Sequence, residues 1–289
     1  MESRIEKRRI ERAERNGGDI ISTLPDFLLI HILSFLPTPI LTSILSSRWK
    51  PLWTLLPILN LDQRTLLRNE HTFSFVDRVS RIWTLCNAIP LHTLRIRWTA
   101  NCQLFYVETW LRATIHLAVL QELDLFIYTY TYYQALELPR TLFFSTTLVV
   151  LKFKDQIFLN PPHDCSLPSL RILQLSYVNF TPYCGLKEPT DVPECLSSQL
   201  KTCHFKGFSG CEVEMELLSQ ILKEAKVLKT MKITVESHLK SKEKLLIRKE
   251  LRKFQRSFLT CQIAIDEAVI IGTQFCLGVV DDRRGGFFC

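Results

Sequence analysis

His163, Asp164 and Cys165 stand side by side in the sequence and offer a base, an acid and a nucleophile. In nucleophilic enzymes these groups normally come from distant positions and meet in space, so their adjacency argues against a catalytic role. The triplet also follows an Asn-Pro-Pro sequence at residues 160–162, which is typical of a polar loop. We therefore predict no nucleophilic active site at this place.

Other patterns that carry chemistry are missing from the sequence. It contains no HExxH or GxSxG motif, and its nine glycines form no phosphate-binding loop. Its ten cysteines include no CxxC pair, the spacing that zinc sites commonly use. The sequence predicts a protein that is not an enzyme and that needs neither a metal nor another cofactor.

The cysteines fit either a disulfide framework or a reduced interior, and the compartment decides between the two. The first fifteen residues mix basic residues with glutamates and lack the apolar stretch of a secretory signal. We expect the thiols to be reduced and mostly buried, and the protein to lie in the cytoplasm, the nucleus or both.

The formal net charge of +7 is concentrated in one segment. Residues 223–256 contain 12 basic and 4 acidic residues, whereas the rest of the chain is nearly neutral. Such a segment could attract nucleic acid or an acidic surface. Its basic residues alternate with Leu, Ile and Val, and no nucleic-acid-binding motif accompanies them. We favour the solvated face of amphipathic elements and expect no nucleic-acid partner.

Residues 27–45 are 19 residues without Asp, Glu, Lys or Arg, close to the length of a membrane span. Pro37 and Pro39 interrupt them, and Leu24-Pro25-Asp26 in front is typical of the start of a helix in a soluble protein. We expect no membrane partner, and an integral membrane protein remains the alternative.

Apolar residues in this segment recur with the period of a helix. They are Leu28, Leu29, Ile32, Leu33 and Leu36, and Pro37 ends the helix. A second short helix is predicted around residues 40–45, and a third turn presents Trp49, Leu52 and Trp53. Three short helices cannot hide this much apolar surface among themselves, so the pattern indicates a protein interface.

Three segments carry a family resemblance: Asp19 to Asp26, Ile32 to Thr38, and Thr42 to Trp49 followed by Leu52-Trp53. They are similar to the plant F-box, whose helices dock on the Skp adaptor of Skp–cullin–F-box ubiquitin ligases. This chain has about two residues fewer than the family between Thr38 and Thr42, which changes where the second helix begins. The resemblance implies that the adaptor contacts are Leu24, Pro25, Ile32, Leu33, Leu36, Pro37, Leu45 and Trp49. Some of these must instead form the small internal core. Leu29 and Trp53 fit the core and the adaptor contact equally well.

An internal repeat, Leu-x-x-Leu-x-apolar, follows the F-box-like segment. The copies are Leu91-Leu94-Ile96, Leu120-Leu123-Leu125, Leu148-Leu151-Phe153, Leu170-Leu173-Leu175, Leu200-Cys203-Phe205 and Leu228-Met231-Ile233. Their first positions are separated by 22 to 30 residues, in or near the range of leucine-rich repeats. An ordinary α/β domain would also show a few such patterns, but six copies at this spacing favour stacked repeats that share a core and expose strand side chains for binding.

The segment from Val192 to Lys229 resembles the FBD domain that follows the repeats in plant F-box/FBD/leucine-rich-repeat proteins. The resemblance rests on Val192 to Leu196, Leu200 to Thr202, Phe205 to Phe208, and Gly210. A helix is predicted between two repeat strands, with Val213, Leu217, Leu218, Ile221, Leu222 and Ala225 on one face. A second helix is predicted to carry Leu245, Leu246, Leu251 and Phe254 on the side that meets the core, and residues 260–265 are predicted to form a closing strand.

The predicted fold class is α/β. We expect a charged arm at residues 1–18, a helical F-box-like domain at 19–58, and a shortened leucine-rich-repeat solenoid at 59–190. An FBD-like domain at 191–266 and an atypical tail at 267–289 complete the prediction.

The resemblance implies a substrate-recognition adaptor of a Skp–cullin–F-box ubiquitin ligase. Its partners would be the Skp adaptor, the cullin ligase core and a target protein held by the repeat and FBD-like surface. The alternative is a repeat-based interaction module that has lost ligase coupling because of the shortened F-box.

Overall fold

The computed structural model describes residue 21 and residues 24–36, 49–66, 74–86, 90–99, 102–116, 119–128, 135–162, 165–180, 199–254 and 262–267. The predicted contacts Pro37 and Leu45, the second F-box-like helix, and His163 and Asp164 lie outside these residues.

Seven α-helices are found in the described part of the chain. They are α1 (Asp26–Ser34), α2 (Lys50–Trp53), α3 (Gln63–Leu66), α4 (Phe75–Cys86), α5 (Leu104–His116), α6 (Glu212–Glu224) and α7 (Ser241–Lys253). A 3₁₀ helix covers Arg140–Phe144.

Eight parallel strands form the main sheet, and they lie side by side in the order in which the chain makes them. They are β1 (Ile58–Asp62), β2 (Thr93–Trp98), β3 (Glu122–Ile127), β5 (Val150–Asp155), β7 (Ile172–Ser176), β9 (Thr202–Phe208), β10 (Thr230–Val235) and β11 (Gln262–Glu267). Three short parallel strands, β4 (Leu136–Glu137), β6 (Ile157–Leu159) and β8 (Asn179–Phe180), form a second sheet. The predicted α/β class is confirmed, with a parallel sheet.

The repeat pattern explains where these strands lie. In each copy the second and third apolar residues alternate along a strand and point into the core, while the leading Leu is buried just before the strand. Of the eighteen repeat positions predicted from the sequence, seventeen are buried and Leu173 is partly buried against the core. A further copy, Leu56-Leu59-Leu61, supplies β1 and begins before the predicted domain boundary at residue 58.

One hydrogen-bond arrangement recurs at the start of six strands of the main sheet, namely β2, β3, β5, β7, β9 and β10. A single carbonyl oxygen accepts from two successive amides of the next copy: Pro57 from His92 and Thr93, and His92 from Gln121 and Glu122. The carbonyls of Gln121, Val149, Arg171 and Lys201 accept in the same way from the copies that follow them. The copies therefore have equivalent backbone geometry as well as equivalent sequence.

An aromatic cluster joins α4 and α5 to the inner side of β2. The Trp110 ring stacks on Trp98, with 5.9 Å between centroids, and on Trp83, with 6.4 Å. Phe75 meets Trp98 edge-on at 4.8 Å. These rings fill the layer between the two helices and the sheet.

The passage from the end of β9 into α6 depends on two glycines and one buried acid. Gly207 and Gly210 have φ angles of 76° and 78°, which only glycine adopts freely, and a Cβ on either would collide with Tyr177 or Ile247. The Glu214 carboxylate accepts from the backbone amides of Ser209, at 2.9 Å, and Gly210, at 2.8 Å. This acid holds the first turn of α6 against the preceding loop.

The FBD-like elements follow the prediction with one correction. Helix α6 lies between β9 and β10 with Leu218, Ile221 and Leu222 buried, and β11 closes the sheet beside β10. In α7, however, Leu245 and Leu246 are 67% and 60% exposed, so their predicted core role was wrong. Two other residues of α7, Ile247 and Leu251, occupy the core one helical turn apart.

Candidate interaction surfaces

The N-terminal helix α1 is apolar on both sides. Leu29 and Leu33, one turn apart, are fully buried and face the core together with Leu52 and Trp53. Phe27 and Phe35 lie on the opposite side and are 68% and 75% exposed. Because successive helical residues are rotated by about 100°, a helix of this composition must present one apolar side away from the core.

The residues predicted to contact an adaptor divide into three groups. Ile32 on α1 and Leu36, two residues after its end, are exposed, whereas Leu33 is buried in the core and has no surface to offer a partner. Leu24 and Trp49 are half-buried against the core, and Pro25, which precedes the first turn, is half-buried as well. Leu29 and Trp53 are core residues.

Sequence reasoning missed the two most exposed apolar side chains of α1, Phe27 and Phe35. Their spacing of eight residues, with His31 between them, was the available signal for a second apolar face. The His31 and Phe35 rings meet edge-on at 5.0 Å. We call Phe27, Leu28, Ile32, Phe35 and Leu36 the α1 face.

The second surface is the outward side of the main sheet, where every other strand residue points away from the core. The strand register aligns these residues in rows across the sheet, for example Arg95, Asp124, Lys152, Gln174, His204 and Lys232. A neighbouring row contains Arg97, Phe126, Lys154, Ser176 and Lys206. Parallel sheets are normally covered on both faces, so a charged and polar outward side indicates a surface that meets solvent or a partner.

Ion pairs organise the N-terminal half of this outward side. Glu122 accepts hydrogen bonds from Arg95 and from Lys152, both at 3.0 Å. Burial works to raise the pKa of Glu122, but these two cations hold it below its ordinary value. Burial raises the pKa of Asp124, against the opposing charge of Lys152.

A cluster of polar residues lies at the carboxyl edge of the sheet. Asp155, the last residue of β5, and Tyr177, which follows β7, have φ angles of 67° and 54°. Burial raises the pKa of Asp155 to about 6, although the charges of Lys154 and Lys206 oppose the shift. The Tyr177 ring lies under the Lys206 ammonium, at 5.8 Å, and against Gly207.

These surfaces are suited to binding. Cys102, Cys165, Cys203 and Cys211 are thiols, and burial raises the pKa of Cys102 to about 12, which disfavours a reactive thiolate. Within the described ranges, no group of three or more His, Cys, Asp or Glu side chains is placed to hold a metal ion. No helix in the part of the chain that the structure describes is long and apolar enough to span a membrane.

Comparison with known proteins identifies relatives in Arabidopsis thaliana. The FBD family profile matches residues 187–233. An F-box/FBD/LRR-repeat protein is 37% identical over 177 residues, which is 58% of this chain and 39% of the relative. An F-box/LRR-repeat protein is 33% identical over 181 residues, 61% of this chain and 49% of the relative.

A third relative, an FBD-associated F-box protein, is 35% identical over 164 residues, 56% of this chain and 38% of the relative. The chain spans less than half the length of each of these relatives. No solved structure matches it. The resemblance predicted from the sequence is confirmed: the chain is related to the plant F-box/FBD/leucine-rich-repeat proteins, and it carries an FBD domain.

Proposed function

We propose that this chain is a non-catalytic substrate receptor of a Skp–cullin–F-box ubiquitin ligase. In this proposal the α1 face binds the Skp adaptor, and the outward side of the sheet, an array of leucine-rich-repeat type, holds a target protein. The reaction would take place on other subunits, and this chain would contribute proximity. A cytoplasmic or nuclear location, which a fluorescent fusion would test, belongs to the same proposal.

The exposed apolar side of α1 is the observation that carries the proposal. It lies in the segment with F-box resemblance, and the relatives' names include F-box and leucine-rich-repeat proteins. An apolar helix face with two exposed phenylalanines is costly to leave in water and is stabilised when a partner covers it.

Co-purification of the full chain with a plant Skp adaptor tests the proposal. We expect Leu36→Asp or Ile32→Asp to weaken adaptor binding by a hundredfold or more, since burying an unpaired carboxylate costs roughly 3 kcal/mol. Leu33→Asp is unsuitable for this purpose because its side chain is in the core, where the substitution would unfold the helix.

Leu245→Asp is the matched control, because Leu245 is equally apolar and well exposed but lies on α7. It should leave adaptor binding unchanged. Unchanged binding by both the Ile32 and Leu36 variants would refute the role of the α1 face. A wild-type chain that binds no adaptor would favour the alternative, a repeat-based interaction module that has lost ligase coupling.

A further inference from the structure

The outward side of the sheet is electrostatically divided. On β1 to β10 of the main sheet its carboxylates, Asp62, Glu122 and Asp124, all lie on β1 and β3, and on the edge strand β11 the register places Asp266 beside Thr234. The outward positions of β5, β7, β9 and β10 hold no carboxylate. Over these four strands the charged and titratable outward residues are Lys152, Lys154, His204, Lys206 and Lys232.

The lysines on these strands differ in how they are neutralised. Lys152 pairs with Glu122 at 3.0 Å and is held by the carboxylates of β3. The ammonium groups of Lys154 and Lys206 instead contact the rings of Phe126, at 4.0 Å, and Tyr177, at 5.8 Å. A ring orients an ammonium group without supplying a formal negative charge, and the carboxyl group of Asp155 interacts electrostatically with both Lys154 and Lys206. We call Lys154, His204, Lys206 and Lys232 the basic face.

The surroundings of His204 agree with a positive potential there. Burial lowers the pKa of His204, and the charge of Lys232 lowers it further. Asp155 is the last residue of β5, next to the outward Lys154, and Glu236 follows β10, where its carboxylate is 3.3 Å from His238.

We propose that the basic face binds an acidic segment of a protein partner. Rows of outward Thr, Ser and Gln side chains separate the lysines and can donate hydrogen bonds to carboxylates. The proposal rests on the proposed function, because it takes the outward side of the sheet as the surface that holds a target protein. It adds that the target is recognised through an Asp- or Glu-rich segment. It also locates that recognition on β5 to β10, which includes strands of the FBD domain.

A nucleic acid suits the basic face less well. Binding of single strands without sequence preference uses aromatic platforms on which bases stack. Phe126, the aromatic residue among the outward positions of β2 to β10, already has the Arg97 guanidinium at 5.2 Å and the Lys154 ammonium at 4.0 Å from its centroid.

Fluorescence anisotropy with the full chain tests the proposal. The probes are a labelled peptide of alternating Glu and Ser, its Gln analogue, and a single-stranded DNA and RNA of similar length. We expect the Glu peptide to bind, the Gln analogue to bind at least tenfold more weakly, and binding to weaken as salt increases. The double variant Lys154→Glu/Lys206→Glu should lose tenfold or more of the affinity for the Glu peptide.

Lys242→Glu/Lys249→Glu on α7 is the matched control, because it changes the net charge equally at exposed positions of a helix. It should change peptide binding by less than twofold. Equal losses in both double variants, or tighter binding of DNA or RNA through Lys154 and Lys206, would overturn the proposal. Co-purification of the same variants with the Skp adaptor separates the two hypotheses, because the basic-face variant should keep the adaptor even when it loses the peptide.

Discussion

The backbone conformation of Asp155 suits an aspartate, but the burial of its side chain disfavours the charged carboxylate. The residue ends β5 with φ 67°, a conformation that Asn and Asp adopt more readily than most residues. Its carboxyl group is partly buried, so ionisation is costly, and Lys154 and Lys206 recover only part of that cost. The pKa of the neighbouring Tyr177 is raised as well, mainly by burial and further by the negative charges of Glu236 and Asp155.

We predict that Asp155→Asn stabilises the protein at neutral pH. Burial raises the pKa of Asp155 from 3.8 to about 6, so the folded state binds this proton more tightly than the unfolded chain does. The contribution of Asp155 to the free energy of unfolding is therefore largest below about pH 4 and is lost as the pH rises through about 6. The gain of the variant should therefore be on the order of 1 kcal/mol at pH 7, since water screens the site, and should vanish near pH 4.

Urea denaturation at several pH values measures this effect, with Asp77→Asn as a control of opposite sign. The Ser74 hydroxyl donates to the Asp77 carboxylate at 2.7 Å, and this hydrogen bond lowers the pKa of Asp77. Asp77 therefore contributes stability at neutral pH that is lost as the pH falls, and its substitution should destabilise. A pH-independent effect of Asp155→Asn would refute the burial argument.

At the scale of elements, periodicity predicted the strands better than it predicted the helices. A strand copy such as Leu120-x-x-Leu123-x-Leu125 has one buried side and one register, so its three apolar positions determine where the strand lies. Helix α7 has apolar residues at 245, 246, 247 and 251, and sequence alone could not tell which pair meets the core. The structure selects Ile247 and Leu251, and Ile247 also packs against the loop at Gly210.

Two further elements were missed for identifiable reasons. The copy Leu56-Leu59-Leu61 was not recognised, and the predicted boundary at residue 58 divides it, because the wide interval to Leu91 hid its membership of the repeat. The two-sided character of α1 was also missed, since an unbroken apolar stretch does not show which side a core will take. In both cases tertiary packing, which a local pattern does not contain, decided the outcome.

Helix α5 should depend strongly on its central tryptophan. Trp110 stacks on Trp83, Trp98 and Tyr106 with 5.9 to 6.4 Å between centroids. Truncation by Trp110→Ala leaves a large cavity between helix and sheet, and we expect a loss of about 3–5 kcal/mol in the free energy of unfolding. Phe105→Ala on the same helix removes a ring that is 72% exposed and should change stability by less than about 0.5 kcal/mol.

Far-ultraviolet circular dichroism during urea unfolding measures both α5 variants without relying on tryptophan fluorescence. Similar midpoints for Trp110→Ala and Phe105→Ala would contradict the proposed role of the aromatic cluster in joining α4, α5 and β2.

At the scale of the whole molecule, the order of strands in the main sheet equals their order in the chain. In this sheet the strands from β2 to β10 therefore pair with the strand before and the strand after, the edge strands β1 and β11 pair with one neighbour each, and no crossover within the sheet passes over an intervening strand. The buried side chains form one continuous cluster from Leu29 to Leu251. Continuity of this kind lets each copy bury the inner face of its neighbour, which a single copy could not do for itself.

A continuous core makes covalent cross-links unnecessary, and we predict that reducing agent leaves the melting temperature unchanged. Cys102 and Cys203 are buried thiols, and burial raises the pKa of Cys102 to about 12, so it stays protonated near neutral pH. Cys211 precedes α6 and is exposed, so a thiol reagent should modify it in the native protein, whereas Cys102 and Cys203 should react only after unfolding. Thermal melts with and without dithiothreitol, together with mass spectrometry of thiols labelled before and after denaturation, measure both expectations. A drop of many degrees on reduction would show that disulfide bonds stabilise the molecule and would point to an oxidising compartment.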